Sequence, residues 1–179
     1  MYPNIRRKDR LLSEEESLAI IDACEYAVIS CVDEQGEIFS IPLSIARIEK
    51  SIYIHGAKVG SKSVLYQNGR KVKIVCVSEN QTPVISNHRF DEIKNQPKAL
   101  ATEIFTTKYK SAICTAMAYQ VKDINEKKLG LQKLCEKYCT NYMSVFDLTA
   151  DYFLDKLHIY RFDITEIIGK SNKNNFQAA

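Results

Sequence analysis

The sequence has no apolar run long enough to cross a membrane, and its N-terminus lacks the apolar core of a signal peptide. We therefore expect a cytoplasmic protein that is not embedded in a membrane. Charge of one sign is not in excess either, since 25 basic residues stand against 22 acidic ones for a net charge of +3. That balance, without a long basic stripe, argues against a nucleic-acid-binding protein. Neither an internal repeat nor a linker is evident, and 179 residues fit one domain.

The cysteine pattern does not predict a metal site. Cys135 and Cys139 share one face of a predicted helix, but no nearby histidine or cysteine completes a four-ligand zinc site. The other four lie in apolar strand-like runs or at the end of a helix pattern, where buried thiols behave as small hydrophobic groups: Cys24, Cys31, Cys76 and Cys114. Without a secretory signal, we expect reduced structural cysteines and no bound metal.

The order of predicted elements favours a mainly β fold with flanking helices. Ser13 and Glu16 have the spacing of a helix capping box, and residues 33–36 (Asp-Glu-Gln-Gly) predict a hairpin turn. About six strands follow with short connections in the first half, which indicates antiparallel pairing. We predict a small antiparallel barrel with helices packed over its ends. This domain should span residues 1–170, and residues 171–179 should form a flexible polar tail.

A proline interrupts the alternating strand Ile38 to Ala46. Pro42 cannot donate to a strand ladder, so this strand must lie at an edge, be bulged, or face something other than a strand. One interpretation is a plain edge strand. The other is a gap beside the backbone of Leu43 and Ser44, where a planar ligand takes over the hydrogen bonding.

The chain centres on a strand, Ser51 to Ile54, followed by a glycine-containing loop that opens a helix at Ser61. Backbone N–H groups at a helix start attract a phosphate, and Lys62 adds a cation. Gly56 and Gly60 permit close backbone approach. The spacing matches neither a P-loop nor a dinucleotide fingerprint, so an ordinary surface turn with a solvated lysine is the alternative interpretation.

Two further stretches carry predictions about access and assembly. Residues 79–103 look like the least regular part of the chain, and loops of this length are often lids or binding loops. His88 in this loop is either a substrate contact or a solvated side chain. From Ala112 to Ala118, small residues alternate along a predicted strand, which suggests a crowded face against another strand or subunit.

Five motifs in order resemble the nitroimidazole-resistance (Nim) group of the pyridoxamine 5′-phosphate oxidase-like, FMN-binding split-barrel family. The resemblance runs from about residue 3 to residue 170. Five motifs carry it: residues 6–10 (Arg-Arg-Lys-Asp-Arg), 41–43 (Ile-Pro-Leu), 53–57 (Tyr-Ile-His-Gly-Ala) with Gly60 and Lys62, 105–113, and 160–170. It implies an antiparallel split β-barrel of the FMN-binding type, forming a homodimer with FMN at the subunit interface. Its departures are the insertion 79–103 and the stretch 112–116, both of which bear on substrate access.

The resemblance also assigns residues to the cofactor site. The phosphate role falls to Ser61 and Lys62, while Ile54, His55 and Gly56 line the flavin site. The strand at Pro42, Leu43 and Ser44 would meet the edge of the flavin ring. Tyr109 and Ser111 would approach the cofactor from the partner subunit.

These assignments predict an FMN-dependent oxidoreductase that reduces nitroaromatic or similar small electrophiles. His55 would be the catalytic residue, as a proton donor to a reduced nitro group or a carbonyl, or else a residue that only positions the cofactor. A non-catalytic flavin or small-molecule binding module is the alternative from another class. A pyridoxamine-phosphate oxidase needs extra cations for a second phosphate, and the sequence does not indicate a convincing pair.

Overall fold

The computed structural model describes residues 5–172 and consists of one antiparallel sheet with flanking helices. Its seven strands are β1 (Ala27–Val32), β2 (Ile38–Leu43), β3 (Ala46–Ile48), β4 (Ser51–Ala57), β5 (Arg70–Gln81), β6 (Lys108–Gln120) and β7 (Leu157–Ser171). Its α-helices are α1 (Glu14–Ala23), α2 (Ser61–Leu65), α3 (Asn87–Ile93), α4 (Pro97–Glu103), α5 (Ile124–Tyr138) and α6 (Phe146–Phe153). Short 3-10 helices cover Lys8–Arg10, Thr140–Val145 and Leu154–Lys156.

The sheet forms a split barrel because its two edge strands are consecutive in the chain. The strand order is β2-β1-β5-β6-β7-β4-β3, with antiparallel pairing throughout. Only Ser44 and Ile45 separate β2 from β3, so the sheet must curl until its edges approach each other. The described ladders nevertheless leave those edges unpaired with one another, and this opening is the split.

The interior of the barrel is apolar and aromatic. Tyr66, directly after α2, is fully buried. Its ring packs edge-on against Phe39 of β2 at 6.1 Å and against Phe162 of β7 at 5.1 Å. Such edge-to-face pairs add to the apolar area they bury. By contacting both β2 and β7, Tyr66 fixes α2 across the open side of the barrel.

A second apolar layer lies between the other face of the sheet and α5 and α6. Tyr53 and Ile159 belong to this layer together with Leu131 and Ala150. At Gly130 the helix comes so close that a β-carbon would lie 2.7 Å from Tyr53 Cδ1 and 3.2 Å from Ile159 Cγ2. A glycine is therefore required where α5 crosses β4 and β7.

Several local predictions are confirmed. Ser13 and Glu16 form the capping box of α1, with both reciprocal hydrogen bonds present. The turn after β1 is the expected hairpin, with Gly36 at φ 87°. Pro42 lies in the edge strand β2, opposite Val28 of β1. All three features depend on residues close together in the sequence, which is why local patterns predicted them.

Other predictions need correction. The sheet has seven strands rather than about six, because β3 is separate from β2. The insertion is a pair of short helices, α3 and α4, tied by Arg89 hydrogen bonds to Glu103 at 2.7 and 2.9 Å. The tail predicted for residues 171–179 must begin later than Asn172. Ser171 is the last residue of β7, and Asn172 is buried with its side-chain amide donating to Thr107 O. The remaining tail, 173–179, lies outside the described residues.

The small residues of β6 form a crowded face, as predicted, but this face lies in the core and not against another subunit. Ala112, Cys114, Ala116 and Ala118 are completely buried in the barrel interior and so cannot form a face against another subunit. Small side chains are needed there because α1 and the aromatic cluster around Tyr66 fill the space. The predicted buried cysteines are confirmed at Cys24, Cys31, Cys76 and Cys114.

Residues 5–172 lack both a membrane-spanning helix and a cluster of metal-ligating side chains. None of the helices in this range has both the length and the apolarity needed to cross a membrane. Nor does this range contain a group of three or more His, Cys, Asp or Glu side chains arranged to hold a metal ion.

Candidate functional site

The end of β4 and the start of α2 form the centre of the candidate site. Gly60, with φ 96°, adopts a conformation that favours glycine and turns the chain from β4 into α2. Its carbonyl accepts hydrogen bonds from both the backbone N–H and the hydroxyl of Ser63, at 3.0 and 2.7 Å. Ser61 is exposed in the first turn, and Lys62 follows it half-buried. This local structure agrees with the predicted strand, loop and helix start.

Lys62 reaches back from α2 to β4. A β-carbon on Gly56 would lie 3.0 Å from Lys62 Cε, 3.1 Å from its Nζ and 3.4 Å from Tyr160 Cε2. The lysine end therefore occupies space that only a glycine leaves free. Within residues 5–172, no carboxylate pairs with this ammonium within 4.0 Å. An anion would supply the missing counter-charge.

His55 lies on the other face of β4. It pairs with Ile159 of β7 and is exposed, whereas Ile54 is fully buried in the barrel interior. Desolvation lowers the pKa of His55 from its usual value, and the nearby cation of Lys62 lowers this pKa further. The imidazole is therefore mainly neutral at pH 7. Since the Ile54 side chain is enclosed, only its backbone can contact a ligand.

The face shared by Tyr53 and His55 is only partly open. Tyr53 is covered by α5, and its hydroxyl donates to Glu126 Oε1 at 3.0 Å, so this residue does not face a ligand. Arg161 pairs with the same carboxylate oxygen at 2.8 Å. Burial and the Glu126 contact raise the pKa of Tyr53 to about 12, so its phenol stays protonated. Exposure on this face begins at His55.

A tyrosine from α5 is hydrogen-bonded to the backbone just before β3. The β3–β4 ladder ends at the pair Ala46 and Tyr53. At the next residue, Ile45, the backbone N–H donates to Tyr138 Oη and the carbonyl accepts from the same hydroxyl, each at 3.0 Å. Tyr138 thus satisfies both backbone polar groups of Ile45. The edge of β4 from residue 54 to 57 pairs with no strand on this side in the described part of the chain.

The end of β2 borders the same opening. Continuing the β3–β4 register past Ala46 would set Ser44 opposite His55 and Leu43 opposite Gly56. Pro42 and Ser44 are exposed and Leu43 is half-buried. Because Pro42 has no N–H, this edge cannot form a regular ladder there. The structure thus brings the predicted residues of α2 and β4 together at Lys62 and Gly56, and leaves those of β2 on an edge strand two residues before β3.

Tyr109 and Ser111 do not join them within one chain. Tyr109 pairs with Asn80 at the far end of β5, its carbonyl accepts from Asn172 N at 3.0 Å, and the Arg10 guanidinium lies 5.9 Å from its ring centroid. The His55 end of β4 instead lies level with the Gln120 end of β6, because His55 pairs with Ile159 of β7 and Gln120 pairs with the next residue of β7, Tyr160. Nine residues of strand separate Ser111 from Gln120, roughly 30 Å. These two residues could reach such a site only from a second copy.

Sequence reasoning missed two side chains on β7. His158 pairs with Gly56, and its Nδ1 lies 3.3 Å from Tyr160 Oη. Desolvation lowers the pKa of His158, as do three lysines: Lys127, Lys122 and Lys58. The alternating His-Ile-Tyr at residues 158–160 was visible as a strand, but its pairing with β4 connects residues far apart in the sequence. His88, which was predicted to lie in a loop, lies on α3, and its Nδ1 is 3.5 Å from Glu92 Oε1.

The arrangement fits an anionic, planar, heteroatom-rich ligand such as a flavin nucleotide. Lys62 provides an unpaired cation, and the open edges near residues 43–44 and 54–57 provide backbone donors and acceptors. The neutral imidazoles of His55 and His158 can each donate one hydrogen bond and accept another. The site can therefore anchor a phosphate at one end and hydrogen-bond a ring at the other.

Comparisons with known proteins agree with the fold. The sequence matches the profile of the family "Pyridoxamine 5′-phosphate oxidase" over residues 13–171. No curated protein matches the chain. Among solved structures, it is similar to a candidate 5-nitroimidazole antibiotic resistance protein from Bacteroides thetaiotaomicron VPI-5482, with 15% identity, a TM-score of 0.67, and coverage of 89% of this chain and 85% of that one.

Two further solved structures share the architecture. The flavocytochrome Anf3 from Azotobacter vinelandii has 15% identity and a TM-score of 0.70, covering 96% of this chain and 73% of its own. The FAD and heme binding protein from Mycobacterium smegmatis has 15% identity and a TM-score of 0.64, with coverage of 90% of this chain and 72% of that one. At such identities the likeness establishes the fold.

Proposed function

The chain belongs to the pyridoxamine 5′-phosphate oxidase family, and we propose that it is an FMN-dependent oxidoreductase that reduces small electrophiles, including nitroaromatic compounds of the 5-nitroimidazole type. The observation that supports this most is the ammonium of Lys62, which packs on Gly56 beside an open strand edge. A phosphate-bearing cofactor suits that charge, and a flavin ring suits that edge. When bound, FMN would supply the redox chemistry.

Each end of the opening has its own role in this proposal. Ser61 and Lys62 hold the phosphate, Lys62 by charge and Ser61 by its exposed N–H and hydroxyl. Backbone groups of Leu43 and Ser44, beside Pro42, meet the ring edge from β2. The backbone of residues 54–56 meets the cofactor from β4.

His55 holds a proton beside the reacting groups. Its lowered pKa keeps the imidazole neutral near pH 7, so it donates one N–H hydrogen bond rather than a full positive charge. As a catalytic residue it would pass a proton to the reduced nitro or carbonyl group from its imidazolium form, which the lowered pKa makes a minor form at pH 7 but a stronger acid, and it would be left as neutral imidazole. As a binding residue it would only orient the cofactor.

The site is completed by a second copy in this proposal. A row of apolar side chains crosses the outer face of the sheet, and it is named here the outer strip: Val28, Val75, Ile113 and Ile168. Val75 and Ile113 are 36% and 38% exposed, and Val77 beside Ser111 is 46% exposed. Burying the outer strip in a homodimer would bring Tyr109 and Ser111 to the partner's cofactor.

A second candidate function has its own supporting observation. Three lysines, Lys58, Lys122 and Lys127, act on the His158 imidazole next to Gly56. Such a cluster supplies cations for a second phosphate, which the sequence alone did not indicate. Oxidation of pyridoxamine 5′-phosphate, with unphosphorylated pyridoxamine as the control, tests this alternative directly.

The test of the main proposal begins with flavin binding. The fluorescence of FMN should be quenched when the protein is titrated into it. Riboflavin, which lacks the phosphate, should bind more weakly. Lys62→Ala should weaken FMN affinity by about 1–3 kcal/mol, whereas the matched control Lys50→Ala at the opposite end of β4 should not. Equal FMN affinity of Lys62→Ala and the native chain would remove Lys62 from the phosphate site.

Turnover separates an enzyme from a binding module. The FMN-loaded protein should reduce a 5-nitroimidazole with a chemical or enzymatic reductant, measured by loss of nitro absorbance above the rate with free FMN. Tight FMN binding without such turnover would identify a non-catalytic flavin-binding module. The six free cysteines suit a reducing compartment, so we place this activity in the cytoplasm.

A further inference from the structure

A separate cavity lies in the helical layer, on the far side of α5 from the barrel interior. It has a volume of about 270 Å³ and opens between α5, the 3-10 helix Thr140–Val145, α6 and the start of β7. Its wall includes six apolar or thiol side chains: Leu131, Cys135, Met143, Phe146, Ala150 and Leu157. None of the residues proposed to hold FMN lines it.

The chemistry of the wall selects an uncharged ligand. No charged side chain lines the cavity in the described part of the chain, and the hydroxyl of Thr149 already donates to Val145 O at 3.2 Å. A charged molecule would lose its hydration there without gaining a partner. An uncharged ring compound loses little, and an engineered apolar cavity of about 150 Å³ is already large enough for benzene.

The outer wall is held in place before any ligand arrives. Lys128 of α5 forms ion pairs with Asp147 and Asp151 of α6, at 2.8 and 3.6 Å. Phe146 and Ala150 on the inner side of α6 are buried in the apolar layer with Leu131. A preformed wall spares a ligand the cost of ordering it.

The cavity also lies close to His55. Leu157 pairs with Ala57, and His55 pairs with Ile159, so these side chains share one face of the β4–β7 ladder. Successive residues on one face of a strand are roughly 7 Å apart. A molecule in contact with Leu157 would therefore lie roughly 7 Å from the neighbouring pair on that face, His55 and Ile159.

We propose that this cavity binds a small uncharged aromatic or alicyclic molecule, at a site distinct from the lysine-bearing opening at the end of β4. The occupant is a free small molecule of about ten non-hydrogen atoms, because a volume of about 270 Å³ accommodates a compact molecule of that size. Binding there needs no flavin, so the proposal stands whether or not the chain reduces nitro compounds.

The test uses 4-fluorotoluene as the probe and ¹⁹F NMR as the measurement, on the full chain with and without FMN. We expect saturable, one-to-one binding with a dissociation constant below about 1 mM. 4-Fluorobenzoate, similar in shape but charged, should not bind at the same concentrations. Absence of saturable 4-fluorotoluene binding to the folded chain, or equal binding of both probes, would overturn the proposal.

Variants locate the site. Ala150→Leu fills the cavity from α6, and Thr149→Phe blocks it without altering a buried position; each should weaken 4-fluorotoluene binding by about tenfold or more. Leu148→Phe, which adds the same ring on the same helix outside the lining, should leave it unchanged. Unaltered affinity in Thr149→Phe would place the probe elsewhere. Binding that disappears as protein concentration rises would assign the cavity to a second copy instead, and would also overturn the proposal.

Discussion

The side chain of Lys62 occupies the space above Gly56 that a β-carbon would need. The separation from that position is 3.0 Å for Cε and 3.1 Å for Nζ. The contact joins the first turn of α2 to the end of β4 and sets where the ammonium points. A flexible side chain end can yield to a new methyl group, so the contact can be altered without breaking the fold.

Gly56→Ala should therefore displace the lysine and leave the barrel intact. We expect FMN affinity to fall by about 1 kcal/mol, less than for complete loss of the charge in Lys62→Ala. Fluorescence quenching with FMN and with riboflavin measures this, because riboflavin lacks the phosphate. A loss of equal size for both flavins would show that the methyl group obstructs the ring and does not act through Lys62.

His55 should affect reactivity more than stability. His55 is exposed, so His55→Ala leaves no core cavity and should change the free energy of unfolding by less than about 1 kcal/mol. If the imidazole passes a proton to the substrate, nitro reduction at saturating FMN should fall by about 10² or more. Full recovery of the rate in excess FMN would leave His55 a binding residue only. Flavin absorbance and circular dichroism confirm that the variant is loaded and folded.

The histidines should also make stability depend on pH. The pKa of His55 is lowered by desolvation and Lys62, and that of His158 by desolvation and by Lys127, Lys122 and Lys58. Below the ordinary histidine value of about 6.5 the unfolded chain then binds more protons than the folded one, so stability falls as pH falls. Urea unfolding of the flavin-free chain between about pH 7.5 and 5.5 should show this fall. The double variant His55→Gln, His158→Gln should flatten it, and an unchanged slope would contradict the assignment.

The crossing of α5 over the sheet predicts an unusual sign for a helix substitution. Replacing glycine by alanine within a helix ordinarily stabilises by about 1 kcal/mol. At Gly130 the new methyl group would lie 2.7 Å from Tyr53 Cδ1, and overpacking typically costs about 1–3 kcal/mol. We therefore expect Gly130→Ala to lower the free energy of unfolding, while Asn125→Ala on the exposed first turn changes it by less than about 0.5 kcal/mol. Chemical denaturation of both variants measures their free energies of unfolding. A stabilised Gly130→Ala variant would show that α5 can shift away from Tyr53 on β4.

The outer strip predicts the oligomeric state. Light scattering at micromolar concentration should give about twice the 20.5 kDa chain mass. Val75→Lys places a charge in the centre of the outer strip and should produce monomers with weakened FMN binding. Val84→Lys, at a position 91% exposed on the β5–α3 connection, is the matched control and should remain dimeric. A monomeric native chain with FMN fully bound would rule out a shared site.

Local chemistry in the sequence determined several of the elements and supplied the residues of the proposed site. The capping box at Ser13, the turn ending at Gly36 and the helix start after Gly60 depend on neighbouring residues, so their patterns predicted them directly. Pro42 likewise indicated an edge strand, because a missing N–H cannot be compensated in a central strand. These signals, with the family resemblance, were enough to nominate the β2, β4 and α2 residues.

Only the tertiary structure decided what surrounds those residues. The Tyr138 hydroxyl that bonds both backbone groups of Ile45 comes from 93 residues further along the chain. Likewise His158 reaches Gly56 only through the β4–β7 ladder. The alternation of small residues in β6 was visible, but which face the sheet buries depends on how it curls, and it buries Ala112 and Ala116 inside. Sequence patterns give a strand its two faces, whereas long-range packing determines which face meets the core, a helix or a ligand.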